Sequence, residues 1–181
     1  METIYIGENK VEMTLVKTNL DKVEKKFIIK VDRGTDTKEL EITGSYYTPE
    51  SNFMVAAGNE VFIMLDNQLL LFNPENMRIT KKADLDILGT MIAAYPYQDD
   101  FILHGEIEIV RVNKNLEVLW TFSGIDIFAR QNGSEKAIEF HNDKICLHDF
   151  YDNYYEIDYN GILKTFKRND HEDRFKEVRQ F

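Results

Sequence analysis

The sequence lacks several features that identify common classes of protein. It has 181 residues and a single cysteine, Cys146, which excludes an internal disulfide. No apolar run approaches the roughly 18–20 residues that a membrane-spanning helix needs. The first residues also lack the basic and apolar regions of a secretory signal. We therefore expect a cytoplasmic protein that does not bind a membrane.

Basic residues are in deficit. The chain has 22 Lys and Arg against 32 Asp and Glu, which gives a formal net charge of −10. Proteins that bind nucleic acid need clustered Lys and Arg to neutralise phosphates, so we expect no nucleic-acid partner. Hydrophobic residues make up 43% of the chain, which is enough apolar material for a folded core.

Motifs of catalysis and cofactor binding are missing as well. There is no glycine-rich phosphate loop, no G-x-S-x-G nucleophile elbow, no C-x-x-C pair and no H-E-x-x-H zinc motif. The sequence therefore predicts no catalytic residue, no cofactor and no metal. His141 and His148, which lie near Asp143 and Asp149, leave a histidine and carboxylate site geometrically open. Cys146 is expected to be a buried, inert thiol, because no basic cluster lies near it in sequence.

What the chain does contain is strand patterning from its first residues. In the stretches 11–15, 27–31 and 39–43, apolar side chains recur at every second position, which places one face on a core and the other in water. A loop rich in turn-forming residues separates the last two stretches, so they predict a β-hairpin. Residues 1–44 are accordingly predicted to form an antiparallel meander.

An internal repeat follows the meander. Each of three copies has an apolar strand, a short turn, a second strand, an Asn- or Asp-rich turn and a third strand, and a further strand precedes each copy. Phe72, Val112 and Ile157 occupy equivalent places, spaced by 40 and then 45 residues. Trp120 and Phe166 are predicted to correspond in the last two copies. Four short strands in a unit of about 40–45 residues are typical of a β-propeller blade.

The segment from Leu116 to Trp120, of the form Leu-x-x-x-Trp after an Asn-rich turn, resembles the blades of WD40-like and quinoprotein-like propellers. This resemblance extends over residues 51–167. It implies an all-β fold of stacked antiparallel four-stranded sheets, propeller-like and small or incomplete, with little helix. One such sheet cannot bury both of its faces, so stacked copies share one core. The resemblance concerns fold and implies no function.

Residues 1–181 are predicted to form a single domain. Its parts are the meander 1–44, three blade-like repeats in 51–167 and a helical or irregular tail 168–181. Three repeats are fewer than the smallest common propeller has. Several arrangements stay open: the meander supplies a fourth sheet of a closed ring, or the sheets form an open stack, a sandwich or an incomplete barrel.

The segment from Asp149 to Tyr159 has the most distinctive composition, with five aromatic and four acidic residues and no basic one. Tyrosines give a large contact area at low entropic cost, and carboxylates attract a basic partner. We therefore predict a binding surface here, extended by two residues of the segment 120–130. The predicted binding residues are Tyr151, Asp152, Tyr154, Glu156, Asp126 and Arg130. A purely structural alternative has Phe150 and Tyr155 in the core and the acidic side chains merely solvated.

Three functions remain open at this point. The sequence favours a non-catalytic interaction module that binds a basic protein, as a bacterial immunity protein that blocks a basic toxin would. The alternative is a small bacterial hydrolase or lyase that uses His104, His148, Asp126 and Arg130 at one end of the sheets. A third function is self-association into a homo-oligomer through an exposed sheet edge.

Overall fold

The computed structural model describes residues 2–19, 24–44, 53–131 and 136–169. All regular elements in these residues are β-strands, sixteen in number, so the prediction of an all-β fold is confirmed. The tail predicted for 168–181 lies outside the described residues except at its first two positions. The assignment of the chain to one domain stays a prediction.

The strands form four antiparallel sheets, each built from four strands consecutive in the chain. Sheet 1 contains β1 (Glu2–Ile6), β2 (Asn9–Asn19), β3 (Glu24–Asp32) and β4 (Thr37–Gly44). Sheet 2 contains β5 (Met54–Ala57), β6 (Glu60–Leu65), β7 (Gln68–Asn73) and β8 (Arg78–Asp84). Sheet 3 contains β9 (Met91–Tyr97), β10 (Asp100–Gly105), β11 (Glu108–Val112) and β12 (Val118–Ser123). Sheet 4 contains β13 (Ile138–Phe140), β14 (Ile145–His148), β15 (Tyr154–Ile157) and β16 (Leu163–Lys167).

A β-bulge recurs at the same place in sheets 2, 3 and 4. The pairing of the third strand with the fourth shifts immediately before Phe72, Val112 and Ile157. An irregularity at a fixed place in three successive sheets shows that these residues are equivalent, as their spacing in the sequence predicted.

The predicted correspondence of Trp120 with Phe166 is wrong by one residue. Trp120 pairs with Arg111, one residue before the bulge of sheet 3, whereas Phe166 pairs with Tyr155, two residues before the bulge of sheet 4. Successive side chains of a strand point to opposite faces, so a shift of one residue reverses the face. Trp120 therefore faces sheet 4, while Phe166 lies on the face of sheet 4 that meets sheet 3.

Sheets 1 to 3 pack face to face in chain order through their first strands, β1 against β5 and β5 against β9. The Phe62 and Phe101 rings stack at a centroid distance of 4.0 Å between sheets 2 and 3. One buried cluster joins sheets 1 to 3, and a second joins sheets 3 and 4. Within the described residues the four sheets do not close into a ring. The meander is thus the fourth sheet of an open stack.

The two outward faces of this stack are polar. On sheet 1, the ion pairs Lys10–Glu12 (2.7 Å) and Lys26–Glu41 (2.6 Å) lie on the face turned away from sheet 2. On sheet 4, the outward face carries Glu156 and its partners. Repeat proteins commonly have such polar faces on their terminal repeats, because nothing further packs there.

Candidate functional site

Four of the six predicted binding residues, Tyr151, Asp152, Asp126 and Arg130, lie on two neighbouring loops. One loop, 124–131, follows the last strand of sheet 3, and the other, 149–153, joins β14 to β15. The Phe150 amide donates to the Ile127 carbonyl at 2.8 Å, and Arg130 Nη1 lies 3.5 Å from Asp152 Oδ1. The loop surface, as we name it, consists of Ile125, Asp126, Ile127, Arg130, Phe150, Tyr151 and Asp152.

The centre of the loop surface is apolar. Its exposed fractions are 64% for Ile125, 37% for Ile127, 39% for Phe150 and 44% for Tyr151. The Phe150 and Tyr151 rings meet edge to face at 5.9 Å. Phe150 thus departs from the structural alternative that placed it in the core, whereas Tyr155 follows that alternative, because only 3% of its surface is exposed.

A buried carboxylate, Asp149, fixes the conformation of the second loop. Its Oδ1 accepts hydrogen bonds from the backbone amides of Tyr151 and Asn153, both at 3.0 Å. Its Oδ2 accepts from Asn153 Nδ2 at 2.8 Å and from the Tyr155 hydroxyl at 2.7 Å. The sequence grouped Asp149 with the surface acids, but it is fully buried. It acts as an internal anchor for the loop.

Tyr155 connects the two loops through its hydroxyl group. The hydroxyl donates to Asp149 and accepts a hydrogen bond from the Ile125 amide at 3.0 Å. Burial is the main cause that raises the pKa of Tyr155 to about 12, with a further contribution from Asp149. The hydroxyl therefore keeps its proton at neutral pH and remains a donor to the carboxylate. The exposed apolar side chains are thus carried on loops whose backbones are held in place.

The other two predicted residues, Tyr154 and Glu156, lie apart, on the outward face of sheet 4. Glu156 Oε1 accepts hydrogen bonds from Lys144 Nζ at 2.5 Å and Tyr154 Oη at 2.6 Å, and Oε2 accepts from Thr165 Oγ1 at 2.9 Å. These donors, Lys144 first, lower the pKa of Glu156 to about 2. The carboxylate already has a cationic partner within its own sheet. The six predicted binding residues are therefore divided between the loop surface and the outward face of sheet 4.

Because of Glu156, the free energy of unfolding should fall as the pH is lowered. Its pKa falls from 4.5 to about 2 in the folded chain, so its contribution is complete above about pH 4.5 and is lost as the pH falls through about 2. In Glu156→Gln we expect the free energy of unfolding to depend less steeply on pH across this window. Thr165→Val, which removes one of three donors, should give an intermediate slope. Urea unfolding at a series of pH values measures both slopes, and equal slopes in all three proteins would contradict the assignment.

The residues proposed for an enzyme do not meet. His104 is buried, with Nε2 2.9 Å from the Phe128 carbonyl oxygen, and burial lowers its pKa. The His148 ring lies 5.1 Å from that of Tyr154, on the outward face of sheet 4. Asp126 and Arg130 belong to the loop surface. No constellation of a nucleophile and a base is assembled from these four residues.

Among the described residues, no group of three or more His, Cys, Asp and Glu side chains is placed to hold a metal ion. Cys146 is buried, with its sulfur 3.2 Å from the Tyr154 hydroxyl. In the same part of the chain, no helix has the length and apolar character needed to cross a bilayer.

Sequence reasoning missed Ile125 and Ile127, which contribute most to the first loop of the surface. A signal was present, because two isoleucines flank Asp126 directly after the Ser123-Gly124 turn, where a core strand has already ended. Apolar residues within a turn have no sheet face to occupy. The end of β12 marked these residues as candidates for exposure, but Phe128 of the same loop is fully buried, so the position in a loop does not decide exposure by itself.

The outer strands β12 and β16 expose further apolar side chains. The exposed fractions of Val118, Leu119, Leu163 and Phe166 lie between 41% and 49%. These strands are the edges to which the prediction of self-association through a sheet edge applies. It stays a prediction.

No family model matches this chain, and no curated protein matches it. Solved structures do resemble it. HIRA(644-1017) has 9% sequence identity and a TM-score of 0.45, over 86% of this chain and 48% of that one. Kluyveromyces lactis Hsv2p has 11% identity and a TM-score of 0.43, over 88% of this chain and 50% of that one. A protein of unknown function from Bacteroides caccae has 12% identity and a TM-score of 0.44, over 90% and 68%.

The chain thus spans about half the length of HIRA(644-1017) and of Hsv2p. Both are WD40 β-propellers. Likeness at this level concerns the fold alone. The predicted organisation into blade-like units is confirmed by the sheets themselves, because each of the four is antiparallel and is built from four strands consecutive in the chain.

Proposed function

We propose that this chain is a non-catalytic protein-interaction module that binds a basic protein through the loop surface. The observation that carries the proposal is the apolar group Ile125, Ile127, Phe150 and Tyr151, exposed on two loops that buried hydrogen bonds join. Isolated exposed apolar residues are ordinary, but a cluster of them on an ordered surface marks an interaction site.

The layout of the loop surface supports protein binding. Protein interfaces commonly have an apolar, aromatic centre surrounded by a polar rim. Here the rim consists of Asp126 and of the Arg130–Asp152 pair. Because Asp149 and Tyr155 already order the backbone, binding loses little conformational entropy in the loops.

Charge supports the choice of a basic partner. With a net charge of −10, the chain attracts cationic proteins over long range and accelerates their encounter. Inhibition of a basic toxin, as by a bacterial immunity protein, is one cytoplasmic role with this chemistry. Tyr154 is uncharged and the charge of Glu156 is offset by Lys144, and both residues lie on the outward face of sheet 4, so they are not part of the proposed docking surface.

Photo-crosslinking tests this proposal, with the variants expressed in cells of the organism that naturally makes this chain. Benzoyl-phenylalanine replaces Ile125 in one variant and Val16 of sheet 1 in a matched control, since these residues have exposed fractions of 64% and 61%. We expect one discrete adduct with a basic protein from position 125 and none from position 16. The purified partner should then bind Ile125→Ser at least about tenfold more weakly than the native chain, the loss typical of an interface anchor. Val16→Ser should bind as the native chain does.

Other outcomes contradict the proposal. Equal crosslinking from both positions would show that the loop surface is not a docking site. An adduct between two copies of this chain would show self-association instead. Binding that does not weaken with added salt would remove the argument for a basic partner.

A further inference from the structure

A cleft of about 530 Å³ opens between sheets 2 and 3. It lies among the turns β5–β6, β9–β10 and β11–β12, at the end of the sheets opposite the loop surface. Ala57, Glu60, Leu71, Lys81 and Lys114 are among the residues that line it. Such a volume is sufficient for a small ligand or a protruding side chain. The two neighbouring junctions, between sheets 1 and 2 and between sheets 3 and 4, each contain an arginine side chain that contacts the β-turn of the following sheet.

At the junction of sheets 1 and 2, an arginine from the first sheet reaches the β7–β8 turn of the second. Arg33 Nη2 donates to the backbone carbonyls of Pro74 at 2.7 Å and Glu75 at 2.6 Å. Hydrogen bonds from charged donors are stronger than those between neutral groups. The guanidinium therefore links the two sheets.

At the junction of sheets 3 and 4, a second arginine reaches the corresponding turn carbonyl, although it comes from strand β11 whereas Arg33 comes from the β3–β4 turn. Arg111 Nη1 donates to the Tyr159 carbonyl at 2.8 Å, and its Nη2 pairs with Asp100 at 2.6 Å. The Tyr97 and Tyr159 rings stack at 4.0 Å, and Trp120 Nε1 also donates to the Tyr159 carbonyl. This junction is filled by an arginine and three aromatic rings.

Strand register identifies the equivalent residues at the junction of sheets 2 and 3. Glu60 follows the first hairpin turn of sheet 2 as Asp100 follows that of sheet 3. Leu71 lies one residue before the bulge of its sheet, as Arg111 does. Sheet 2 therefore keeps the carboxylate of this arrangement, but has leucine in place of the arginine.

The two tyrosines that stack at the junction of sheets 3 and 4 also have no aromatic equivalent at the junction of sheets 2 and 3. Ala57 is equivalent to Tyr97 by strand register. Lys114 is equivalent to Tyr159, because each is the second residue of the turn between the third and fourth strands of its sheet, which begins at Asn113 or Asp158. No described residue donates a hydrogen bond to the Lys114 carbonyl. By register, the cleft thus has a carboxylate and a turn carbonyl at the positions that Asp100 and Tyr159 hold at the next junction, without the guanidinium that joins them there. Within the described part of the chain, the Glu60 carboxylate accepts one hydrogen bond, from the Thr80 hydroxyl to Oε1 at 2.6 Å, so Oε2 is the oxygen left for a guanidinium.

We infer that this cleft binds an arginine side chain presented by a partner protein. The guanidinium takes the place of the one that Arg111 supplies in the next junction. It pairs with Glu60 and donates to the Lys114 carbonyl, while its aliphatic stem lies over Ala57 and Leu71. Lys81 and Lys114 offset part of the acidic charge, so selectivity rests on the planar set of guanidinium donors rather than on net charge.

Titration of the full chain with short capped peptides tests the inference. The probes are acetyl-Ala-Arg-Ala-amide and the same peptide with lysine or citrulline in the centre, followed by ¹⁵N–¹H spectra. We expect saturable shifts at the amides of Gly58 and Asn115, and an affinity at least about fivefold higher for the arginine peptide than for either other probe. Glu60→Gln should weaken binding several-fold. Glu8→Gln, at the junction that Arg33 already occupies, should leave it unchanged.

Leu71→Arg supplies the missing guanidinium within the chain, so it should abolish peptide binding while the cleft amides keep a folded spectrum. Equal affinity for the three peptides, or none up to the solubility limit, would overturn the inference. So would a folded Leu71→Arg that binds as the native chain does. The loop surface takes no part in these measurements, so their outcome is independent of the proposed function.

Discussion

Gly161→Ala is expected to lower the free energy of unfolding by about 2–5 kcal/mol. Gly161 has φ +75°, a conformation that disfavours a residue with a Cβ by roughly 1–2 kcal/mol. An alanine Cβ would also lie 2.6 Å from Cδ2 of the Trp120 ring. The ring is held by its hydrogen bond to the Tyr159 carbonyl, so it cannot move away freely. Overpacking of this kind adds about 1–3 kcal/mol.

Gly34→Ala is the matched control for this prediction. Gly34 has a similar φ of +80°, but nothing lies within 4 Å of the position of its Cβ. The control should therefore show only the backbone effect, about 1–2 kcal/mol. Urea unfolding of both variants measures the difference. Equal losses would show that the Trp120 ring moves aside at little cost, which would contradict the rigid packing of this ring against the β15–β16 turn.

Asp149→Ala is expected to lower the free energy of unfolding by about 3–5 kcal/mol, because it removes one buried group that four donors share. The Asn153 side chain and the Tyr155 hydroxyl would lose their acceptor in a buried environment. The amides of Tyr151 and Asn153 would lose theirs as well. The loss exceeds that of an ordinary surface substitution, which is usually within about 0.5 kcal/mol.

Asp152→Ala is the control in the same loop. Its side chain is 33% exposed and its contact with Arg130 is 3.5 Å long, so loss of the contact should cost at most about 1 kcal/mol. Asp152 also has φ +60°, which aspartate tolerates better than alanine, so the backbone adds a smaller cost to the control. Unfolding in urea gives the two free energies, and ¹⁵N–¹H spectra show whether the amides of Tyr151 and Asn153 shift. If Asp149→Ala destabilised the chain no more than Asp152→Ala does, the buried carboxylate would not be the anchor of the loop surface.

Much of the fold was predictable because its determinants are local. Asn73, Asn113 and Asp158 each accept a hydrogen bond on Oδ1 from the amide two residues later. These short polar residues favour such turns by themselves, so their recurrence located the third turn of each repeat. Alternation in 27–31 and 39–43 likewise located the hairpin of β3 and β4.

The candidate site was less predictable because contacts distant in sequence form it. The segment from Asp149 to Tyr159 has a uniform composition, yet it divides where the loop 149–153 ends and β15 begins. Residues on either side of that boundary face different surroundings. The pairing of this loop with 124–131 depends on the packing of two sheets, which alternation within one strand does not encode.

Burial of charge was equally invisible in the sequence. Asp149 and Asp152 are the same residue type, three positions apart, and only the first is enclosed. What separates them is the position of the Tyr155 hydroxyl and the Asn153 amide around one carboxylate. A sequence pattern shows which side chains can accept hydrogen bonds, but the donors that bind each of them are set by the tertiary structure.

The construction of every sheet from four consecutive strands affects how the chain reaches its native state. Among the residues that the structure describes, all hydrogen-bonded strand pairs join neighbours in sequence, so each sheet forms by closing short loops. Chains rich in such local contacts fold faster than those that depend on distant pairings. In the described residues the first sheet does not meet the last, so their assembly needs no contact between these two sheets. The search for long-range contacts is then limited to the apposition of one sheet with the next, in the order in which a ribosome releases them.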